Sequence, residues 1–108
     1  LIGRDDGPNE LFIQPDMGVY ATANQFQAES RTLWAAAFGD VDNDGDLDLL
    51  LGSANYQQDD GASARNQLLF NDGTGTFTTD SNFPGGNEYT RAVAFGDVDG
   101  DGDLDIVT

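Results

Sequence analysis

The chain is 108 residues long, enough for one ordinary domain, and 20 acidic residues against 4 basic ones set its formal charge at −16. Such an excess of acid disfavours nucleic acid and anionic membrane surfaces, which both select a cationic footprint. Cysteine and histidine are absent, which excludes disulfides, Cys/His zinc sites and every catalytic arrangement built on imidazole or thiolate.

In chain order, Leu1-Ile2-Gly3 reads as the end of a strand, since Leu50-Leu51-Gly52 repeats it. Asn9 to Ile13 reads as a further strand, and Tyr20 and Phe26 mark the segment after it. All three features recur 57 positions later, in Asn66 to Phe70, Phe77 and Phe83. Trp34 to Phe38 is a short apolar run ending at Gly39, and its Ala35-Ala36-Ala37 core is small enough for a crowded innermost strand. An acidic loop follows. Leu49-Leu50-Leu51 is the next strand, and a continuous apolar run of this kind implies burial on both sheet faces. Residues 53–65 connect it to Gln67–Phe70; the equivalent connection, 4–8, is shorter by 8 residues, as a surface loop tolerates. Asn71-Asp72-Gly73-Thr74-Gly75 is rich in turn residues and reads as a hairpin into a fourth strand within 76–83. Pro84-Gly85-Gly86 then leads to a second copy of the apolar run and acidic loop. No segment carries the period and caps of a helix.

The loop Phe38-Gly39-Asp40-Val41-Asp42-Asn43-Asp44-Gly45-Asp46-Leu47-Asp48 recurs at the same offset of 57 as Phe95-Gly96-Asp97-Val98-Asp99-Gly100-Asp101-Gly102-Asp103-Leu104-Asp105. The chain is therefore a tandem repeat. The two loops hold ten of the twenty acids, so most of the charge is local. Asp40, Asp42, Asp44 and Asp48 stand at alternate positions from which carboxylates can converge on a cation, and glycine at position 6 permits the sharp turn. Asp46, at position 7, is expected to offer its main-chain carbonyl and turn its side chain to solvent, with Leu47 anchoring the loop on the core. Asp97, Asp99, Asp101, Asp103, Asp105 and Leu104 repeat each assignment. Hard oxygen donors in this number favour Ca²⁺, at two sites. Bare aspartates this close would repel one another by about 1 to 4 kcal/mol per 4 Å pair, which argues against an unneutralised acidic turn. An EF-hand is excluded, because position 12 is Leu51 in one loop and Thr108 in the other, and both flanks are β.

Four-stranded antiparallel sheets stacked radially, with small residues on the inner strands, describe an all-β fold of the β-propeller type. The loops and their flanks resemble the FG-GAP or VCBS-type repeat, a blade of integrin-α-like propellers, and Asn66 to Phe77 is similar to the third-strand hairpin of bacterial members. The resemblance implies a secreted or cell-surface propeller with Ca²⁺ held between the first and second strands of a blade. On that scheme 1–108 is part of one propeller domain of about two blades' worth. Residues 1–32 supply strands two to four of a first blade, 33–83 one complete blade with calcium loop 40–48, and 91–108 the start of the next with loop 97–105. Two blades cannot close a ring, so the sequence is expected to be a slice of a larger propeller, completed by further blades in the same chain or by other copies.

Catalysis without imidazole or thiolate would fall to carboxylate pairs, and Glu10, Glu29, Glu88, Asp59 and Asp60 are the candidate acids outside the loops. None lies in a motif that signals a raised pKa, and a non-catalytic role is expected. Binding is the stronger expectation. In the family resembled, ligand sites favour the face opposite the calcium loops, where Tyr56, Gln57, Gln58, Asp59 and Asp60 of the inserted connection and Glu88 and Tyr89 of the next one fall. Aromatic faces beside amide and carboxylate acceptors suit a glycan or a protein ligand. Trp34 is expected to pack in the core, with Arg91 at the matching position marking a strand edge. The alternative function is structural: a scaffold domain of a secreted polysaccharide-active enzyme, or a repeat unit of an extracellular assembly.

Overall fold

The computed structural model describes residues 10–17, 19–22, 33–53, 65–85 and 89–108, and among them every regular element is a β-strand. The strands are β1 (Phe12–Asp16), β2 (Val19–Thr22), β3 (Leu33–Gly39), β4 (Asp48–Ser53), β5 (Gln67–Asn71), β6 (Phe77–Thr79), β7 (Ala94–Gly96) and β8 (Asp105–Val107). Strands β3 to β6 form one four-stranded antiparallel sheet in chain order, flanked by the two-stranded sheets β1–β2 and β7–β8. The offset of 57 superposes the roles: β1 and β2 correspond to β5 and β6, and β7 and β8 to β3 and β4. The fourth strand is shorter than the 76–83 stretch: the Asp80 N–H still donates to the Leu68 carbonyl at 2.8 Å, and its carboxylate then caps a turn, accepting from the Asn82 N–H at 2.8 Å.

Every residue of β4 is buried, as its run of leucines requires in a strand covered on both faces. The pairings Phe38↔Leu49, Leu49↔Leu69 and Asn71↔Phe77 place alternate residues on a common side. One side carries Leu49, Leu51, Leu69 and Phe77, which cluster with Leu11 from the preceding repeat and with the partly buried Leu33. Leu50, Leu68 and Gly52 lie on the other. Here a Cβ added to Gly52 would come within 3.0 Å of both Thr90 and Val93 of the following repeat. Leu11 is the repeat equivalent of Leu68, so the same pair of faces meets on both sides of the central sheet.

The end of the sheet away from the acidic loops is closed by polar contacts. Buried Asn66 accepts from the Ser53 N–H through Oδ1 at 3.1 Å and donates its own N–H to the Gly85 carbonyl at 2.9 Å. The Thr90 N–H donates to the Ser53 carbonyl at 3.2 Å, joining the next repeat to the end of β4. Trp34 is half-buried, not enclosed, and Arg91, its equivalent one repeat later, sets its guanidinium 5.2 Å from the indole centroid. No buried side-chain polar atom among the described residues lacks a hydrogen-bond partner.

Candidate metal centre

The loop joining β3 to β4 turns because positions 4 and 6 take left-handed backbone: Asn43 has φ 60° and Gly45 φ 96°. Asparagine and glycine are the residues that occupy this region at least cost. In the second loop the same positions are Gly100 at 81° and Gly102 at 96°.

Five hydrogen bonds then recur at the repeat offset. Asp40 accepts from the N–H groups of Asp44 and Gly45, each at 3.0 Å, and Asp97 from those of Asp101 and Gly102 at 3.1 and 3.0 Å. Asp42 and Asp99 accept from Asp44 and Asp101 at 3.3 and 3.2 Å. Asp48 and Asp105 accept from the Val41 and Val98 N–H groups at 2.9 and 2.8 Å. Asp44 and Asp101 accept from the N–H two residues on, both at 2.9 Å. Backbone donors thus aim the carboxylates inward.

The consequence is one cluster per loop. Asp40, Asp42 and Asp48 each bring an oxygen within 4.8 Å of the others, and Asp97, Asp99 and Asp105 do the same. Asp44 and Asp101 lie on the same loops outside these groups, since their carboxylates close local turns on the backbone. The donor set is carboxylate oxygen throughout, a hard set that fits Ca²⁺ and not a thiophilic metal. Crowding shows in the electrostatics: the Asp42 carboxyl is raised above its ordinary range, first by desolvation, then by the charges of Asp44 and Asp48.

Asp48 differs from its neighbours in being fully buried. Its second oxygen accepts from the Asn71 N–H of β5 at 2.9 Å, and the Asn71 carboxamide donates to the Leu47 carbonyl at 3.1 Å. The loop is thereby tied to the third strand as well as the second. Sequence reasoning missed Asn71; its repeat equivalent is Gln14, so the repeat holds no signal for it.

Two side chains depart from expectation. The Asp46 carboxylate, expected in solvent, is half-buried and packs against Gly73 of the β5–β6 turn, where a Cβ would collide with it. Leu47, expected to anchor its loop, is 56% exposed. Leu104 does anchor, lying with Phe95 against Gly39 of the repeat before it. The anchor thus sits on the neighbouring repeat, not on the loop's own sheet. The loops also touch: the Asn43 carboxamide donates to Asp103 at 3.1 Å.

Of the candidate ligand residues, Tyr56, Gln57, Gln58, Asp59, Asp60 and Glu88 lie outside the described residues. Tyr89 is exposed and lines an open cavity of about 780 Å³ with Asn66, Phe83 and Arg91, at the end of the sheet away from the acidic loops.

Fold and site together define an all-β tandem-repeat protein whose strand-to-strand loops gather carboxylates. Residues 54–108 match the FG-GAP-like repeat and residues 32–64 the FG-GAP repeat; the chain belongs to the FG-GAP repeat family. No curated protein and no solved structure matches it.

Proposed function

We propose that this chain is a calcium-binding, non-catalytic part of a β-propeller on a secreted or cell-surface protein, acting in adhesion or recognition of a glycan or protein. The observation that carries the calcium reading is the convergence of Asp40, Asp42 and Asp48, repeated by Asp97, Asp99 and Asp105. These six carboxylates would hold two ions, together with the Asp46 and Asp103 main-chain carbonyls and with Asp44 and Asp101 beside them. Bound Ca²⁺ supplies two positive charges to a turn of five aspartates, which offsets their repulsion and links ligation to folding. Backbone donors keep the aspartates in place, so the turn needs little reorganisation. On this reading 33–83 is one blade, with 1–32 and 91–108 belonging to its neighbours. Secretion agrees with the weak affinities of extracellular calcium modules, about 10⁻⁴ to 10⁻³ M. Recognition falls to the end opposite the loops, where Tyr89 presents an exposed ring beside polar groups.

Titration calorimetry with Ca²⁺ tests the reading. Two sites are expected, with Asp42→Asn and Asp99→Asn each abolishing one. Absence of binding heat, together with no thermal shift on adding Ca²⁺, would refute it.

A further inference from the structure

The two acidic loops are joined at two points. The Asn43 carboxamide donates to the Asp103 carboxylate at 3.1 Å across 60 positions of chain, and Leu104, the next residue, packs with Phe95 against Gly39. Each contact lies beside proposed ion ligands: Gly39 precedes Asp40, Asn43 stands between Asp42 and Asp44, and Leu104 between Asp103 and Asp105. Asn43 is the one non-glycine residue with left-handed backbone among the described residues, at φ 60°, where glycine would turn the chain at less cost. The second loop has glycine at this position, Gly100, with φ 81°. Asparagine therefore keeps the turn and adds a side chain that reaches the other loop, which Gly100 cannot do. Asp103 is held from two sides: its N–H donates to the Asp101 carboxylate at 2.9 Å, and its own carboxylate accepts from Asn43. Those two bonds restrain the residue whose main-chain carbonyl is a proposed ligand.

We propose that Asn43 couples the two sites, so that Ca²⁺ at the Asp40, Asp42 and Asp48 cluster raises the affinity of the Asp97, Asp99 and Asp105 cluster, and the reverse. The inference rests on the calcium reading and adds a regulation to it. Ligation of Asp42 restrains the turn that carries Asn43. A restrained Asn43 holds Asp103, and with it the second turn, in the arrangement that binds. An ion arriving second therefore finds part of its loop already ordered. Thermodynamic linkage makes the effect equal in both directions. Coulomb forces act the other way, because the first ion weakens the field that attracts the second. That opposition is screened over about 8 Å at physiological salt, and it does not depend on the Asn43 side chain, which is uncharged. The share of the coupling that Asn43 carries is thus separable from it.

Calorimetry with Ca²⁺ on the parent, Asp42→Asn, Asn43→Gly and the double variant tests the coupling as a cycle. Asp42→Asn abolishes the first site and lowers affinity at the second. Part of that fall is the lost charge, which is the same with or without Asn43 and cancels in the cycle. The remainder is expected to make the fall about two- to tenfold larger in the parent than in the Asn43→Gly background, the range that one net hydrogen bond spans. Glycine suits the backbone at 43. Asp103→Ala, which removes the acceptor and keeps the main-chain carbonyl, repeats the cycle should Asn43→Gly unfold. Amide exchange gives a second readout. In Asp99→Asn, which cannot load the second site, Ca²⁺ at the first is expected to slow exchange of the Asp103 N–H, and Asn43→Gly to remove that slowing. Equal falls in both backgrounds, or slowing that survives Asn43→Gly, overturn the coupling and leave two independent calcium sites. A parent that takes up no calcium overturns the calcium reading and the coupling with it.

Discussion

Asp48 shows how one residue serves fold and site at once. Its carboxylate is buried, takes N–H bonds from Val41 and Asn71, and still contributes an oxygen to the cluster. Asparagine in its place turns one acceptor into a donor against an N–H group, leaving buried polar atoms unmatched at a cost of about 1–3 kcal/mol. Urea unfolding in chelator is expected to show that loss for Asp48→Asn and a smaller one for Asp105→Asn, whose carboxylate is only half-buried. Acid acts on two other aspartates with opposite sign. Hydrogen bonds from the Thr74 hydroxyl and N–H hold Asp72 below the ordinary range, so its contribution is present above the unfolded-state pKa and is lost as pH falls through the folded one. Asp42 is raised, so its contribution is present below the unfolded-state pKa and is lost as pH rises through the folded one. In chelator, the stability advantage of the parent over Asp72→Asn should shrink as pH drops below the ordinary carboxylate range, while its deficit relative to Asp42→Asn shrinks over the pH interval just above that range.

Among the elements, β3 and β7 carry the same Phe-Gly pair in different surroundings. Gly39 is pressed by Phe95 and Leu104, whereas a Cβ at Gly96 would meet none of the described residues. Alanine at 39 forces the ring and the leucine aside, an overpacking that costs about 1–3 kcal/mol. Alanine at 96 has no such neighbour among the described residues, and neither glycine needs a left-handed backbone. The urea midpoint of Gly39→Ala is therefore expected to fall while that of Gly96→Ala stays with the parent. Equal falls at both positions would show that the joint between repeats is not what requires glycine. The hairpin between β5 and β6 works differently: Gly73 and Gly75 have φ of 79° and 84°, and Asn71 and Asp72 cap the turn from within.

For the whole molecule, the proposed calcium binding would be coupled to packing, because each loop joins two strands of one sheet. A site held at 100 times its dissociation constant contributes about 2.7 kcal/mol, and each kcal/mol moves the melting temperature of a domain this size by about 4–8 °C. Chelation is therefore expected to lower the melting temperature by more than about 10 °C, read by circular dichroism, with Mg²⁺ failing to restore it because that ion keeps its waters and demands a tighter octahedron. Full restoration by Mg²⁺ would contradict the assignment of the loops to calcium.

Much of this was legible before any coordinates. The offset of 57 made the repeat visible, the continuous leucines of β4 announced burial on both faces, and alternate aspartates around Gly45 and Gly102 marked the loops. These are local facts, carried by spacing and by residue chemistry along a few consecutive positions. What the chain's order could not express is which repeat a side chain leans on. Leu104 anchors on Gly39 of the preceding repeat, Leu47 stays exposed, Asp46 packs on Gly73, Asn71 secures Asp48, and Asn43 reaches Asp103. Each of these contacts joins residues more than twenty positions apart, and spacing along the chain does not encode how sheets stack. Strand pairing within the central sheet decided the contacts of Asp46 and Asn71, and packing of one sheet on the next decided those of Leu104 and Asn43.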